Sequence, residues 1–170
     1  MSDIDDLSRQ LGEACLLAGA SLATAESCTG GGVGEAITRT AGASAWFDRG
    51  FITYSNDAKV DLLGVKQETI GSHGSVSEAV AREMAIGALH QSSAGFAVAI
   101  TGVAGPGGGT AAKPVGLVWF AWVALDGAVE TKFEIFGGDR AAIRQQAVHE
   151  ALKGLLALVA LAPLPPPIPA

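Results

Sequence analysis

The sequence predicts an α/β protein, a three-layer α/β/α sandwich around a mixed sheet, folded as a single domain. Three observations support this prediction. Strand-like and helix-like segments alternate over the first hundred residues, as expected for parallel strands joined by helices. An uninterrupted apolar run at residues 96–102 is typical of a strand covered on both faces. Two later strand-like runs are separated by an Asp-Gly pair, which predicts a hairpin and therefore antiparallel pairing as well.

The first segment, residues 4–17, predicts an amphipathic helix that ends at Gly19. Its apolar positions recur at helical spacing, so we expect one face made of Leu7, Leu11, Ala14, Leu16 and Leu17. Residues 21–27 then predict a short strand, a glycine cluster follows at 30–32, and helical spacing resumes over 33–41. The local order is therefore strand, turn, helix.

Two further segments complete the first half of the fold. Residues 46–55 are rich in aromatic and β-branched side chains and predict a second strand. Residues 56–64 predict a short helix that ends at Gly64. Either Ser55 or Asn56 is expected to cap it.

The second half of the chain predicts a helix, three strands and a long last helix. In order, these are a helix over 77–91, strands over 96–102, 115–124 and 129–137, and a helix over 139–162. The pair Asp126-Gly127 predicts the turn between the last two strands. We therefore expect one domain over residues 1–162 and a solvated, proline-rich tail over 163–170.

Composition excludes several classes of protein. The chain has 170 residues, of which 49% are hydrophobic and 16% charged, so it is not intrinsically disordered. A net charge of −6 repels nucleic acid and anionic membranes, and no basic run offsets it. The acidic N-terminus does not resemble a signal peptide, and the apolar stretch at 155–164 is about half the length that a bilayer requires. We expect neither a nucleic-acid partner nor a membrane span.

The cysteine content indicates the compartment. Only Cys15 and Cys28 are present, which makes no disulfide framework in a chain of this size. A reducing compartment is favoured, and the cytoplasm is the natural choice.

Common catalytic and cofactor motifs do not fit. The glycine-rich loop near residue 105 lacks the lysine and hydroxyl of a Walker loop, no G-x-G-x-x-G follows a strand, and Ser27 does not stand in a G-x-S-x-G elbow. The three histidines, His73, His90 and His149, lack the spacing of metal ligands. Neither a metal nor an organic cofactor is expected.

A polar cluster at residues 25–32 stands where a predicted strand enters a glycine-rich turn. Ligands of open α/β sheets bind outside the carboxyl ends of the strands, where helix N-termini also present unpaired N–H groups. Ser27 is therefore a candidate nucleophile, with backbone N–H groups between Cys28 and Gly31 available to an oxyanion. The alternative is that Ser27 or Thr29 simply caps the following helix.

A second polar stretch, residues 53–59, contains Tyr54 and Lys59. Lys59 lies near a predicted helix N-terminus, where a cation is disfavoured, so it is either retained for chemistry or is a solvated surface lysine. As a base it must be neutral, and lowering its pKa from ~10.4 to ~7 costs about 4.6 kcal/mol. Ser55 is a rival nucleophile, although capping also explains it.

Four segments together resemble the CinA C-terminal domain family. They are AESCTGG at 25–31, SAWFDRGFITYSNDAK at 44–59, VSEAVAREMAIGAL at 76–89 and ITGVAGPGGGTAAKPVGLVWFA at 100–121. The resemblance covers nearly the whole chain. It implies a hydrolase that deamidates nicotinamide mononucleotide to nicotinate mononucleotide and ammonia. It also implies that Ser27 is the nucleophile and that Tyr54 and Lys59 belong to the catalytic site.

The resemblance implies roles for the neighbouring residues too. Lys59 would take the Ser27 proton directly or through Tyr54, and N–H groups near Thr29 and Gly30 would stabilise the oxyanion. The backbone of Cys28 and Gly31 would contribute, and the Cys28 thiol is not expected to be the nucleophile because no histidine is placed to activate it.

The substrate of such an enzyme is a small nucleotide whose phosphate needs hydrogen-bond donors. We expect these from the loop at 100–109, with Lys113 or Arg49 adding charge. The glycines expected to bind are Gly102, Gly105 and Gly107. Glu26 would orient the ribose hydroxyls or Lys59, or else stabilise its own turn.

Two other interpretations remain open at this point. The chain could be a non-catalytic pyridine-nucleotide-binding module, or an amidase for a different carboxamide. We also expect a homo-oligomer, because the apolar run at 155–162 with Trp119 and Trp122 could cover a subunit interface as easily as a core.

Overall fold

The computed structural model describes residues 3–163 of the chain. The elements run in the order α1 (Asp3–Ala18), β1 (Leu22–Glu26), α2 (Gly32–Thr38), β2 (Phe47–Ile52), α3 (Asn56–Leu63), α4 (Gln67–His73), α5 (Glu78–His90), β3 (Phe96–Gly102), β4 (Leu117–Ala124), β5 (Val129–Ile135) and α6 (Arg140–Ala160). A short 3₁₀ turn at Ala43–Ala45 precedes β2. The fold is the predicted α/β class.

The five strands form one mixed sheet in the order β2-β1-β3-β4-β5. Strands β2, β1 and β3 are parallel, whereas β4 and β5 are antiparallel to their neighbours. The hairpin between β4 and β5 turns at Asp126 and Gly127, as predicted, and Gly127 adopts a φ of 86° that favours glycine. The chain leaves β1 for one side of the sheet and later returns to its other side, so β1 lies at a topological switch point.

Helices cover both faces of the sheet and complete the three layers. Helices α1, α2 and α6 enclose a core of large side chains, such as Ile100 and Phe120. On the opposite face, α5 packs over a surface of small sheet residues: Ala23, Ala25, Ala97, Ala99 and Ala121. Because these side chains are small, α5 can approach the sheet closely. It also packs tightly on α3, where a Cβ at Gly87 would overlap the Leu63 carbonyl oxygen.

The predicted apolar face of α1 is wrong at its C-terminal end. Leu16 and Leu17 are 61% and 69% exposed. The helix instead buries Ile4, Ser8, Leu11, Gly12 and Cys15. A polar residue belongs to this face because the Ser8 hydroxyl shares a hydrogen bond of 2.7 Å with the Thr40 hydroxyl, which hydropathy does not reveal.

Helix α4 is absent from the sequence prediction because it lacks an apolar stripe, and none of its residues is buried. A residue from another helix holds its first turn instead. The Glu83 carboxylate of α5 accepts hydrogen bonds from the Lys66 N–H at 2.8 Å and from the Thr69 hydroxyl at 2.7 Å.

The aromatic and apolar residues considered for an interface mostly belong to the core. Trp122 is 5% exposed and donates its indole N–H to the Ala151 carbonyl at 3.1 Å, and Leu155 is fully buried. Trp119 is half-buried against Phe133. Within residues 3–163, no helix has both the length and the apolar character needed to span a bilayer. Beyond Pro163, the predicted tail lies outside the described residues.

Candidate active site

Ser27 lies on the turn that follows β1, at the carboxyl end of the parallel strands. Its N–H donates to the Ile100 carbonyl of β3 at 3.0 Å, and its own carbonyl accepts from the Gly30 N–H at 3.0 Å. Helix α2 begins later, with Gly31 at the N-cap position and no side-chain cap. The capping alternative for Ser27 and Thr29 is therefore wrong, and the Ser27 hydroxyl has no structural task in the helix.

Glu26 stabilises this turn. Its buried carboxylate accepts hydrogen bonds from the N–H groups of Val33 and Gly34, both at 2.9 Å, and from the Thr29 hydroxyl at 2.7 Å. These contacts match the alternative in which Glu26 supports its own turn. They differ from the expected roles on the ribose or on Lys59, because the carboxylate is 1% exposed and is occupied by α2.

Lys59 is buried beside Ser27. Its side chain is 1% exposed, so the alternative of a solvated surface lysine is wrong. The Nζ atom lies 3.1 Å from Ser27 Oγ, 2.8 Å from the Thr53 carbonyl oxygen and 3.4 Å from that of Tyr54. Burial lowers the pKa of Lys59 below its ordinary value, because the charged form loses hydration.

The partners of Lys59 can accommodate a neutral amine as well as an ammonium. A neutral amine has two N–H donors and one lone pair, and two of the three neighbours are carbonyls that can only accept. When both N–H groups face the Thr53 and Tyr54 carbonyls, the lone pair faces the Ser27 hydroxyl. The arrangement can therefore take a proton from Ser27 Oγ without any rearrangement.

Tyr54 contacts Lys59 only through its backbone carbonyl among the hydrogen bonds of the described residues. The residue is 62% exposed, and its hydroxyl accepts a hydrogen bond from Arg140 at 3.1 Å rather than contacting Lys59. Within residues 3–163, no hydrogen bond supports a proton relay through the Tyr54 hydroxyl, whereas Lys59 and Ser27 are in direct contact. Strand β2 ends at Ile52, so Tyr54 lies two residues beyond the strand, although the predicted strand included it.

The rival nucleophile Ser55 is a helix cap. Its hydroxyl accepts a hydrogen bond of 3.0 Å from the Ala58 N–H at the start of α3. Asn56 is then the first residue of the helix, which decides between the two predicted caps. The Ser55 hydroxyl is thus accounted for by stability.

The turn after Ser27 leaves some N–H groups available for an oxyanion. The Gly30 N–H is not among them, contrary to expectation, because it closes the turn onto the Ser27 carbonyl. The N–H groups of Thr29 and Gly31 donate no hydrogen bond within residues 3–163. Burial raises the pKa of the Cys28 thiol to about 12, which keeps it protonated and unreactive near neutral pH.

The glycines of the predicted phosphate loop differ in their surroundings. Gly102 ends β3, where a Cβ would lie 2.7 Å from the Val118 side chain, so close strand packing accounts for it. Gly105 offers its carbonyl, not its N–H, to Arg140 at 2.8 Å. Gly107 faces open space.

The two cations expected at the phosphate lie elsewhere. Arg49 pairs in register with Ala23, in the amino half of β1, and binds Asp48 and the Gln91 carbonyl. Lys113 donates to the His73 carbonyl and lines a separate cavity. Both residues were predicted from their charge alone. The register of β2 places Arg49 away from Ser27. The contact with the His73 carbonyl directs Lys113 elsewhere.

Two other arginines stand at the site. A cavity of about 640 Å³ is lined by the loop residues Ala104 and Pro106 together with Arg140 and Arg144 from the first turns of α6. Arg140 contacts the Tyr54 hydroxyl, and Arg144 donates to the Cys28 carbonyl at 3.1 Å. The cavity therefore adjoins the turn that bears Ser27.

Comparison with known proteins confirms the family resemblance that the sequence motifs indicate. A family model described as the CinA C-terminal domain matches residues 4–159. The chain belongs to the CinA C-terminal domain family. It is 54% identical over 154 residues to nicotinamide-nucleotide amidohydrolase PncC of Escherichia coli K12, covering 91% of this chain and 93% of the relative. The PncC of Pseudomonas putida is 52% identical over 159 residues, covering 93% and 98%.

Solved structures of this family share the fold. The competence/damage inducible protein CihA of Agrobacterium tumefaciens superposes with a TM-score of 0.89 and 49% sequence identity, covering 93% of this chain and 96% of that one. This CinA C-terminal domain is therefore a single-domain, six-helix and five-strand α/β fold within residues 3–163.

Sequence reasoning missed Arg140 and Arg144 in this CinA C-terminal domain. A signal was present, since two arginines four residues apart stand in the first turns of a helix, where the helix dipole disfavours cations. The same argument singled out Lys59. Their neighbours at the site are between 35 and 116 residues away in sequence, so only the folded chain identifies them.

Proposed function

We propose that this chain is an amidohydrolase that converts nicotinamide mononucleotide to nicotinate mononucleotide and ammonia, with Ser27 as nucleophile and Lys59 as base. The observation that carries the proposal is the buried Lys59 Nζ, 3.1 Å from Ser27 Oγ. A nucleophile within hydrogen-bond reach of a base with a lowered pKa is the signature of covalent catalysis. The activity named for the PncC relatives supports the choice of substrate.

The first half-reaction forms an acyl-enzyme. Ser27 Oγ attacks the carboxamide carbon while Lys59 Nζ accepts the hydroxyl proton. The negative charge that develops on the carboxamide oxygen is stabilised by the free N–H groups of Thr29 and Gly31. When the C–N bond breaks, the Lys59 ammonium returns the proton to the nitrogen, which leaves as ammonia, and a nicotinyl ester remains on Ser27.

The second half-reaction hydrolyses that ester. Neutral Lys59 takes a proton from a water molecule as the water attacks the ester carbonyl. The tetrahedral intermediate uses the same N–H groups, and its collapse returns the proton to Ser27 Oγ. Nicotinate mononucleotide departs and Lys59 is again neutral.

The cavity that adjoins the turn bearing Ser27 can supply positive charge for the phosphate of the nucleotide through Arg140. Arg140 lines this cavity, and the guanidinium fork of arginine suits phosphate geometry. The open backbone at Gly107 can contribute donors. The earlier candidates Arg49 and Lys113 have no part in this arrangement.

Two alternatives differ in what the chain would do with carboxamides. A non-catalytic nucleotide-binding module would bind nicotinamide mononucleotide and release no ammonia, and a different amidase would release ammonia only from other carboxamides. Ammonia release from nicotinamide riboside, which lacks the phosphate, and from free nicotinamide, which also lacks the ribose, is measured alongside for comparison. A cytoplasmic homo-oligomer that needs neither metal nor organic cofactor remains our prediction.

The test is ammonia release by Ser27→Ala. We expect the variant to fold and bind nucleotide with no detectable turnover. Ser55→Ala is the matched control, because it removes a cap and should lower stability by about 1 kcal/mol with turnover retained. Unchanged ammonia release by Ser27→Ala would remove Ser27 from the mechanism.

A further inference from the structure

Arg144 binds two successive carbonyls of the turn that bears Ser27. Its Nε donates to the Cys28 carbonyl at 3.1 Å and its Nη2 to the Thr29 carbonyl at 3.0 Å. These contacts join residues more than 110 positions apart in the sequence. One edge of the guanidinium is thus already occupied by protein.

The two carbonyls determine where the neighbouring N–H groups point. In a trans peptide, C=O and N–H point in opposite directions, so the Cys28 carbonyl and the Thr29 N–H are the two ends of one unit. Holding the carbonyl against Arg144 directs the Thr29 N–H away from Arg144. A charged donor on the carbonyl also polarises the N–H of the same peptide.

The next peptide is fixed in the same way but serves the turn. Arg144 binds the Thr29 carbonyl, and the Gly30 N–H at the other end of that peptide donates to the Ser27 carbonyl at 3.0 Å. The Thr29 N–H, by contrast, meets no acceptor within residues 3–163. A polarised N–H that meets no protein acceptor, two residues from the candidate nucleophile, is available to an oxyanion.

We propose that Arg144 is a positioning residue that orients and polarises the Thr29 N–H for the oxyanion formed at Ser27. The inference rests on the proposed function in that Ser27 must be the nucleophile. It assigns Arg144 a role separate from that of Arg140, whose guanidinium contacts the hydroxyl of the exposed Tyr54.

Kinetics on two substrates separate this role from phosphate binding. For Arg144→Ala we expect kcat to fall by about 10²-fold, as for loss of an oxyanion donor, with KM nearly unchanged. The loss should be similar for nicotinamide mononucleotide and for nicotinamide riboside, which has no phosphate. A raised KM for the mononucleotide alone, with the riboside unaffected, would show a phosphate ligand and overturn the proposal.

Arg144→Lys is the second variant. Lysine keeps the charge but is a single point donor, so it cannot hold both carbonyls in the arginine geometry. We expect an intermediate kcat and an unchanged melting temperature, and this variant decides the matter if Arg144→Ala does not fold. Arg82→Ala, which removes an exposed arginine of α5, is the matched control.

A probe that does not depend on the nucleotide separates the two proposals. Phenylmethylsulfonyl fluoride sulfonylates an activated serine with loss of fluoride, and its sulfonyl oxygen uses the same N–H donors. Labelling of Ser27, followed by mass spectrometry, should slow at least tenfold in Arg144→Ala. Slowed labelling in a chain that does not turn over the mononucleotide would retain the role of Arg144 and reject the substrate. Equal labelling rates in variant and wild type, or no labelling of the wild type, would overturn the role itself.

Discussion

Replacing Lys59 by methionine removes the proposed base and keeps a side chain of similar length in the same buried site. The Lys59 Nζ atom lies 3.1 Å from Ser27 Oγ, within hydrogen-bond distance. Methionine has no atom at that place that accepts a proton. General-base catalysis contributes about 10²- to 10⁴-fold, so we expect kcat to fall by about that factor, or ~3–5 kcal/mol in the barrier. Lys66→Met is the control, because Lys66 is exposed.

The pH dependence of stability provides a second measurement on the same variant. Burial lowers the pKa of Lys59 in the folded state, and the unfolded chain regains the ordinary value of 10.5. Between these two values the unfolded chain binds one proton more than the folded chain, so raising the pH stabilises the fold by about 1.4 kcal/mol per pH unit. Below the folded pKa both states are protonated and the slope vanishes.

The assays are steady-state ammonia release and denaturant unfolding across a pH series. The free energy of unfolding of the wild type, less that of Lys59→Met, should rise with pH within the stated window. The kcat/KM of the wild type should also rise with pH through the lowered pKa of Lys59, because only the neutral amine accepts the Ser27 proton. A variant that keeps turnover within tenfold of the wild type, or a stability difference that does not change with pH, would refute the assignment of Lys59.

Three further predictions concern the cavity, the packing and the thiol. Arg140→Gln should raise the KM for nicotinamide mononucleotide by about 10- to 100-fold, because one charged hydrogen bond to the phosphate is lost. The KM for nicotinamide riboside, which has no phosphate, should not change. Equal effects on the two KM values would contradict the phosphate assignment. Gly87→Ala should lower the free energy of unfolding by about 1–3 kcal/mol, because its Cβ would meet the Leu63 carbonyl. Gly71→Ala, with open space around its Cβ, should instead gain up to about 1 kcal/mol, and the denaturant midpoints check the pair. Iodoacetamide at pH 8 should leave Cys28 unmodified in the folded chain, since a pKa of about 12 leaves about 10⁻⁴ of the thiol ionised; rapid alkylation seen by mass spectrometry would disprove the burial argument.

Elements with local signals could be predicted from the sequence. Apolar runs, Asp-Gly and N-capping residues located the five strands and five of the six helices of the described chain. Helix α4 escaped because its first turn is satisfied by Glu83, on a different helix. The inner face of α1 was misplaced because Ser8 enters the core through a hydrogen bond to Thr40.

The site was predictable to the extent that it is local. Ser27 stands beside a glycine turn, and Lys59 lies near a helix N-terminus, where a cation is disfavoured, so local patterns single out both residues as candidates. Arg144 reaches the turn from α6, and no pattern in the sequence predicts that contact. Arg49 was chosen for its charge, and only strand register shows that it lies in the amino half of the sheet.

The contacts of Glu26 bear on the charge of the buried Lys59. A carboxylate bonded to Lys59 would favour the ammonium form and raise its pKa, which would cancel the effect of burial. Glu26 is adjacent to Ser27 in sequence, yet its two oxygens accept from the N–H groups of Val33 and Gly34 at the start of α2. Lys59 therefore meets carbonyl and hydroxyl oxygens instead of a carboxylate, and burial decides its protonation. The fold thus satisfies Glu26 within its own turn and leaves Lys59, which reaches Ser27 from α3, without a carboxylate partner among its hydrogen bonds in residues 3–163, as the proposed role of Lys59 as a base without a histidine requires.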